Sequence, residues 1–122
     1  MSVDLIRQGL IEPPTTTALT GTSATTIIAA DASYRRVVEK IVLANADTTN
    51  ACLILIHWVS AAPASSLLWS GDVPAGETVI VELPVILAGN GVVRSLTATA
   101  EAANDVTVTV FTSANTQQDR ER

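Results

Sequence analysis

The chain has 122 residues, a formal net charge of −5, and side chains that are 48% apolar, 16% charged and only 3% aromatic. That length is one domain, able to bury roughly two-thirds of its unfolded surface in a modest core. The acidic balance, with no basic stripe, argues against nucleic-acid binding, which needs Lys and Arg to displace counterions from phosphates, and the longest apolar runs are too short or too interrupted to span a bilayer.

Residues 1–14 differ from the rest. Val3, Leu5, Ile6, Leu10 and Ile11 recur at helical spacing, and Pro13 and Pro14 would stop such a helix and force an extended exit. The segment reads as an N-terminal arm, apolar enough to dock on its own domain or on a neighbour and too short to fold alone. It lacks the charged start, apolar stretch and small-residue cleavage site of a signal peptide, so synthesis in a cytoplasm is expected. Residues 15–30 are rich in Thr and β-branched side chains and suit two edge-type strands broken at Gly21.

From Arg35 to Ser113 short β-type runs alternate with turn residues, the mark of an all-β sandwich or barrel. The runs 35–44 and 51–59 read as a hairpin or a crossing between sheets through Asn45–Asn50. Residues 51–59 are apolar on both faces, as expected of a covered central strand. Alternation puts Cys52, Ile54, Ile56 and Trp58 on one face and Leu53, Leu55, His57 and Val59 on the other. One set should meet the core and the other a partner subunit or covering segment. Ser65–Trp69 reads as a short strand and 70–76 as a loop ending in the turn Val73-Pro-Ala-Gly76, where Gly supplies positive φ. Pro84 ends or bulges the strand that starts near Glu77. Gly89-Asn-Gly91 is a turn, and residues 92–100 read as one strand. Residues 105–112 alternate most cleanly, with Val106, Val108 and Val110 inward and Thr107 and Thr109 outward. Residues after Ser113 show no apolar periodicity and read as a loosely held tail.

The expected architecture is therefore all-β: a single antiparallel β-sandwich, jelly-roll-like, with immunoglobulin-like strand order as the alternative, since both give seven or eight short strands. The arm is 1–14, the sandwich 15–113 and the flexible C-terminal tail 114–122.

Chemistry-bearing residues are few. His57 is the one imidazole, and neither a metal site nor nucleophilic catalysis works without companions for it. Cys52, the one thiol, sits in an apolar run and is expected to be buried and inert. The acids are scattered, mostly at turns, with no calcium-loop spacing and no phosphate loop after Gly89. No enzyme activity, cofactor or metal is expected. Trp58 and Trp69 lie inside apolar runs and suit core or interface packing; exposed, they would instead suit a carbohydrate.

The stretch 34–112 resembles small virion proteins of tailed bacteriophages. The likeness is carried by Tyr34-Arg-Arg-Val-Val-Glu-Lys-Ile-Val-Leu-Ala-Asn45, by Val73-Pro-Ala-Gly76, by Leu83-Pro-Val-Ile-Leu87, by Gly89–Gly91 and by the ending from Ala102 to Val110. The resemblance implies a β-sandwich or jelly-roll module that decorates or cements a capsid, or serves as a neck or tail accessory protein, in a homotrimer or other symmetric oligomer. Its partners would be further copies of itself and the major capsid or neck and tail proteins, and its place the virion. A tail-associated carbohydrate or host-surface binding module is the alternative, although the chain lacks the aromatic- and Gly-rich face of a receptor-binding tip. The low-charge, Thr- and Ala-rich composition suits a protein packed against neighbours. Interface residues are expected at Val3, Leu5, Ile6, Leu10 and Ile11 on the arm, and at Leu53, Leu55, His57, Trp58 and Trp69 in the sandwich.

Overall fold

The computed structural model describes residues 10–31, 34–60, 65–82, 85–89 and 92–116. Among these residues eleven strands follow one another: Leu10–Ile11 (β1), Thr15–Ala18 (β2), Thr25–Ile28 (β3), Tyr34–Asn45 (β4), Cys52–Val59 (β5), Ser65–Val73 (β6), Thr78–Val81 (β7), Val85–Gly89 (β8), Val92–Val93 (β9), Ser95–Ala100 (β10) and Val106–Thr116 (β11). The first sheet runs β1-β11-β4-β8-β9, with β2 also on β11 and β7 also on β4; the second runs β3-β10-β5-β6. Every pairing is antiparallel.

The strand order decides between the two expected topologies. The chain changes sheet at six of its ten steps: β1 and β2 lie in the first sheet, β3 in the second, β4 in the first, β5 and β6 in the second, β7 to β9 in the first, β10 in the second and β11 in the first. Only β5–β6 is a hairpin inside the second sheet. An immunoglobulin sandwich keeps several consecutive strands in one sheet; this alternation is that of the jelly roll.

The core lies between the sheets. Val106, Val108 and Val110 of β11 face inward with Ile41 and Leu43 of β4, against Cys52, Ile54 and Ile56 of β5 and Leu96, Ala98 and Ala100 of β10, all buried. The inward positions of β4, Val38 and then Ile41, are three apart rather than two. A bulge opposite Phe111 and Thr112 inserts Glu39 and restores the alternation. Gly76 sits in the expected turn at φ 68°, and its N–H donates to the Asp47 carbonyl at 2.7 Å.

Four expectations change. Leu10 and Ile11 are strand, not helix: they pair with Ala114 and Ser113 of their own chain, and ladder bonds to an existing sheet outweigh a short apolar stripe weakened by Gly9. Val3, Leu5 and Ile6 lie outside the described residues. At the other end β11 continues through Thr116, because Ala114 finds Leu10 on one side and Arg36 on the other. β6 runs through Ser70-Gly-Asp-Val73, read from sequence as a loop, because Val73 and Asp72 complete the ladder to Cys52 and Leu53. Residues 92–100 are two strands: the chain leaves the first sheet after Val93 and enters the second at Ser95.

Candidate interaction faces

The outer face of the second sheet is built by the alternation read from the sequence. In β5, Cys52, Ile54 and Ile56 turn inward, while Leu53 is 37% exposed and Leu55, His57 and Val59 are half-buried. Cross-strand neighbours share a face. His57 is flanked by Thr97 of β10 and by Leu67 of β6, which is 55% exposed. Thr97 is followed by Thr26 of β3. Leu55 lies between Thr99 and Ser70, and Val59 between Ser95 and Ser65. The middle of this face is thus leucine, valine, threonine and serine around one imidazole. Charge appears at one end, where Asp72 lies beside Leu53 and Glu101 accepts the Leu53 N–H at 2.9 Å.

The structure therefore brings Leu53, Leu55 and His57 together and sets Trp58 and Trp69 apart from them. Trp58 continues the inward series, opposite Leu96 and Ser66, and its ring lies 3.6 Å from the guanidinium carbon of Arg94. Trp69 faces inward opposite Ile56. Both indoles are half-buried and packed against the core. Leu10 and Ile11 belong to the other sheet, at the edge of β11.

The first sheet has an outer face of its own. Thr16, Thr109, Val42 and Ile80 form one cross-strand row, with the two threonine hydroxyls 3.1 Å apart. Ile80 is 57% and Ile86 46% exposed. Lys40 lies over the Phe111 ring, 4.9 Å from its centroid.

Sequence reading missed a polar cluster at one end of the sandwich. Arg36 donates to both carboxylate oxygens of Glu12, at 3.0 and 2.9 Å, and the Thr112 hydroxyl donates to the same carboxylate. These groups border a cleft of about 490 Å³ whose other walls include Pro13, Ile28 and Asp31. They are 24 and 100 residues apart, so no local motif announces them. The Arg36 hydrogen bonds hold the Glu12 carboxyl below its ordinary value against the opposing effect of burial, with Thr112 assisting. A carboxyl with a lowered folded value contributes stability above the unfolded value, about 4.3, and loses it as pH falls through the folded one. Glu12→Gln is therefore expected to weaken the fold at neutral pH and to flatten the acid limb. Urea midpoints measured down to strongly acidic pH test this; an acid limb as steep as the parent's would refute it.

Among the described residues no group of three His, Cys, Asp or Glu is arranged to hold a metal ion. Cys52 is a buried free thiol within the core. No described helix is long and apolar enough to cross a membrane.

No protein-family model matches the chain, and no curated protein matches its sequence. Among solved structures it is similar to the CBM22-1–GH10 modules of endo-1,4-β-D-xylanase 10B of Clostridium thermocellum, solved with xylohexaose. That likeness has 9% identity and a TM-score of 0.49, and covers 88% of this chain but 24% of the xylanase chain. It is also similar to the native virion of Kashmir bee virus at neutral pH, at 9% identity and a TM-score of 0.35 over 94% of this chain and 73% of that one. The acidic-pH virion aligns over the same shares at 10% identity and a TM-score of 0.35. At such identities nothing about ligands or assembly follows for this chain.

Proposed function

We propose that this chain is a non-enzymatic structural protein of a tailed-phage particle, which decorates or cements the capsid by laying the outer face of its second sheet on neighbouring coat subunits. The observation that carries the reading is the composition of that face: Leu53, Leu55, Val59 and Leu67 stand among threonines and serines, and charge is confined to one end. A charge-depleted apolar centre with a polar rim is the anatomy of a protein interface. The resemblance of residues 34–112 to small phage virion proteins supplies the particle. On this reading the protein is made in the host cytoplasm, needs no metal or cofactor, and acts by burying surface across the coat.

The test compares particles assembled with and without the protein. Loss of the protein should lower their resistance to heat and low salt; particles equally resistant without it would remove the cementing role. Leu67→Glu tests the face. A fully buried leucine is worth about 1.5–3 kcal/mol, so occupancy on particles should fall at least about tenfold, while the exposed site leaves folding stability within about 0.5 kcal/mol. Unchanged occupancy would place the contact elsewhere.

A further inference from the structure

We propose that β6 is a self-pairing edge. Two copies join antiparallel through Trp69–Val73 about a two-fold axis at Gly71, fusing their four-stranded sheets into one of eight. The interface is separate from the coat-facing leucines, and the inference does not depend on the capsid reading.

The first observation is the edge itself. Among the described residues β6 pairs with β5 on one side and with no strand on the other. It is nine residues long, whereas the strands at the other sheet margins, β1, β2, β3, β7 and β9, have two to four. A long bare edge presents backbone N–H and C=O groups that an added strand satisfies. Natural edges are blunted by Lys, Pro or a bulge. β6 has no Lys, Arg or Pro. Its one bulge falls opposite Ile56 and His57, at the Leu67–Trp69 end, and leaves Trp69–Val73 regular.

The second observation fixes the occupant and register. Ser70 and Asp72 are both exposed on the outer face, and neither has a hydrogen-bond partner among the described residues. With Gly71 on the axis, Ser70 of each copy stands opposite Asp72 of the other. Two hydroxyl-to-carboxylate hydrogen bonds form, and the only charges on the strand never face each other. Gly71 has no side chain to obstruct the outer face at the axis, and on the inner face each copy's own Trp69 ring lies over it. Elsewhere the copies repel through a net charge of −5 each, but beyond about 8 Å that repulsion is largely screened at physiological salt. A two-fold pairing of identical edges also closes, and leaves this edge no site for runaway addition.

Sedimentation of the purified full chain from micromolar to millimolar concentration tests the proposal. The parent should form a dimer. Ser70→Asp sets carboxylates opposite each other twice and should weaken it by about tenfold; Ser70→Lys sets ammonium opposite carboxylate twice and should tighten it by a similar factor. Ile80→Lys, on the other sheet, should change nothing. A monomer throughout, a mass other than a dimer's, or a dimer that answers both Ser70 substitutions alike would overturn the proposal. A monomer that still occupies particles and loses that occupancy in Leu67→Glu would leave the coat-facing surface standing.

Discussion

Asn45→Asp should be the most damaging single-atom exchange in the molecule, lowering unfolding free energy by about 3–5 kcal/mol. Asn45 ends β4 and is only 4% exposed. Its amide nitrogen donates at 3.0 Å to the carbonyl of Asn50 and at 3.0 Å to that of Val73, and its amide oxygen accepts the Asp47 N–H at 2.9 Å. Its backbone N–H reaches the Glu77 carbonyl at 3.0 Å. The side chain thus ties the crossing from the first sheet to the second and the end of β6, and the backbone of the same residue holds the loop before β7. Below it, Asp47 accepts the N–H groups of Thr49 and Asn50, which keep its own carboxyl below the usual value. An aspartate at 45 removes both donors and turns an anionic oxygen toward two carbonyl oxygens. Its carboxyl would favour the protonated form, so the deficit should shrink as pH falls; the weakening that comes from Glu12 over the same range is common to both proteins and cancels in the difference. Denaturant midpoints at equal slope give both numbers. A variant within 1 kcal/mol of the parent at neutral pH would mean that the three contacts do not hold the crossing.

Asn45 also shows what a single sequence makes legible. The residue and its neighbours carry the signature of a turn, and they form one. Nothing in the order Asn-Ala-Asp-Thr-Thr-Asn distinguishes an Asn whose amide is buried against a distant strand from one facing water. Alternation is different, because its period is a property of the backbone. The inward faces of β5 and β11 followed directly from Cys52, Ile54, Ile56 and Val106, Val108, Val110. So did the outward set Leu53, Leu55 and His57, which is the candidate site. Trp58 shares the inward beat of β5 and followed with it; Trp69 did not, since it falls on the inward beat of its strand only once the register of β6 and its bulge are known. Leu10 and Ile11 read as helix for a similar reason: the strand they pair with lies a hundred residues away. The Glu12–Arg36–Thr112 cluster is long-range in the same sense.

Gly71→Val should destabilise by about 1–3 kcal/mol, against the usual direction of such a change. Replacing glycine with valine inside a strand ordinarily helps, through β propensity and a less disordered unfolded chain. Here a Cβ at 71 would lie 2.8 Å from Cζ2 and 2.9 Å from Cη2 of Trp69. The indole is a rigid plate with two torsions, and it rests on the core beside Ile56. It cannot yield without giving up that burial, so steric conflict exceeds the propensity gain. In a Trp58→Phe background, emission from Trp69 should move to the red as the ring swings toward water. Trp69→Val should largely relieve the conflict, so the double substitution should cost less than the sum of the two singles. Unchanged emission with equal or greater stability would show that the ring has room to move. The result also bears on function: a Trp69 held inward by Gly71 seals the sandwich, and the carbohydrate-binding alternative would then have to do without it.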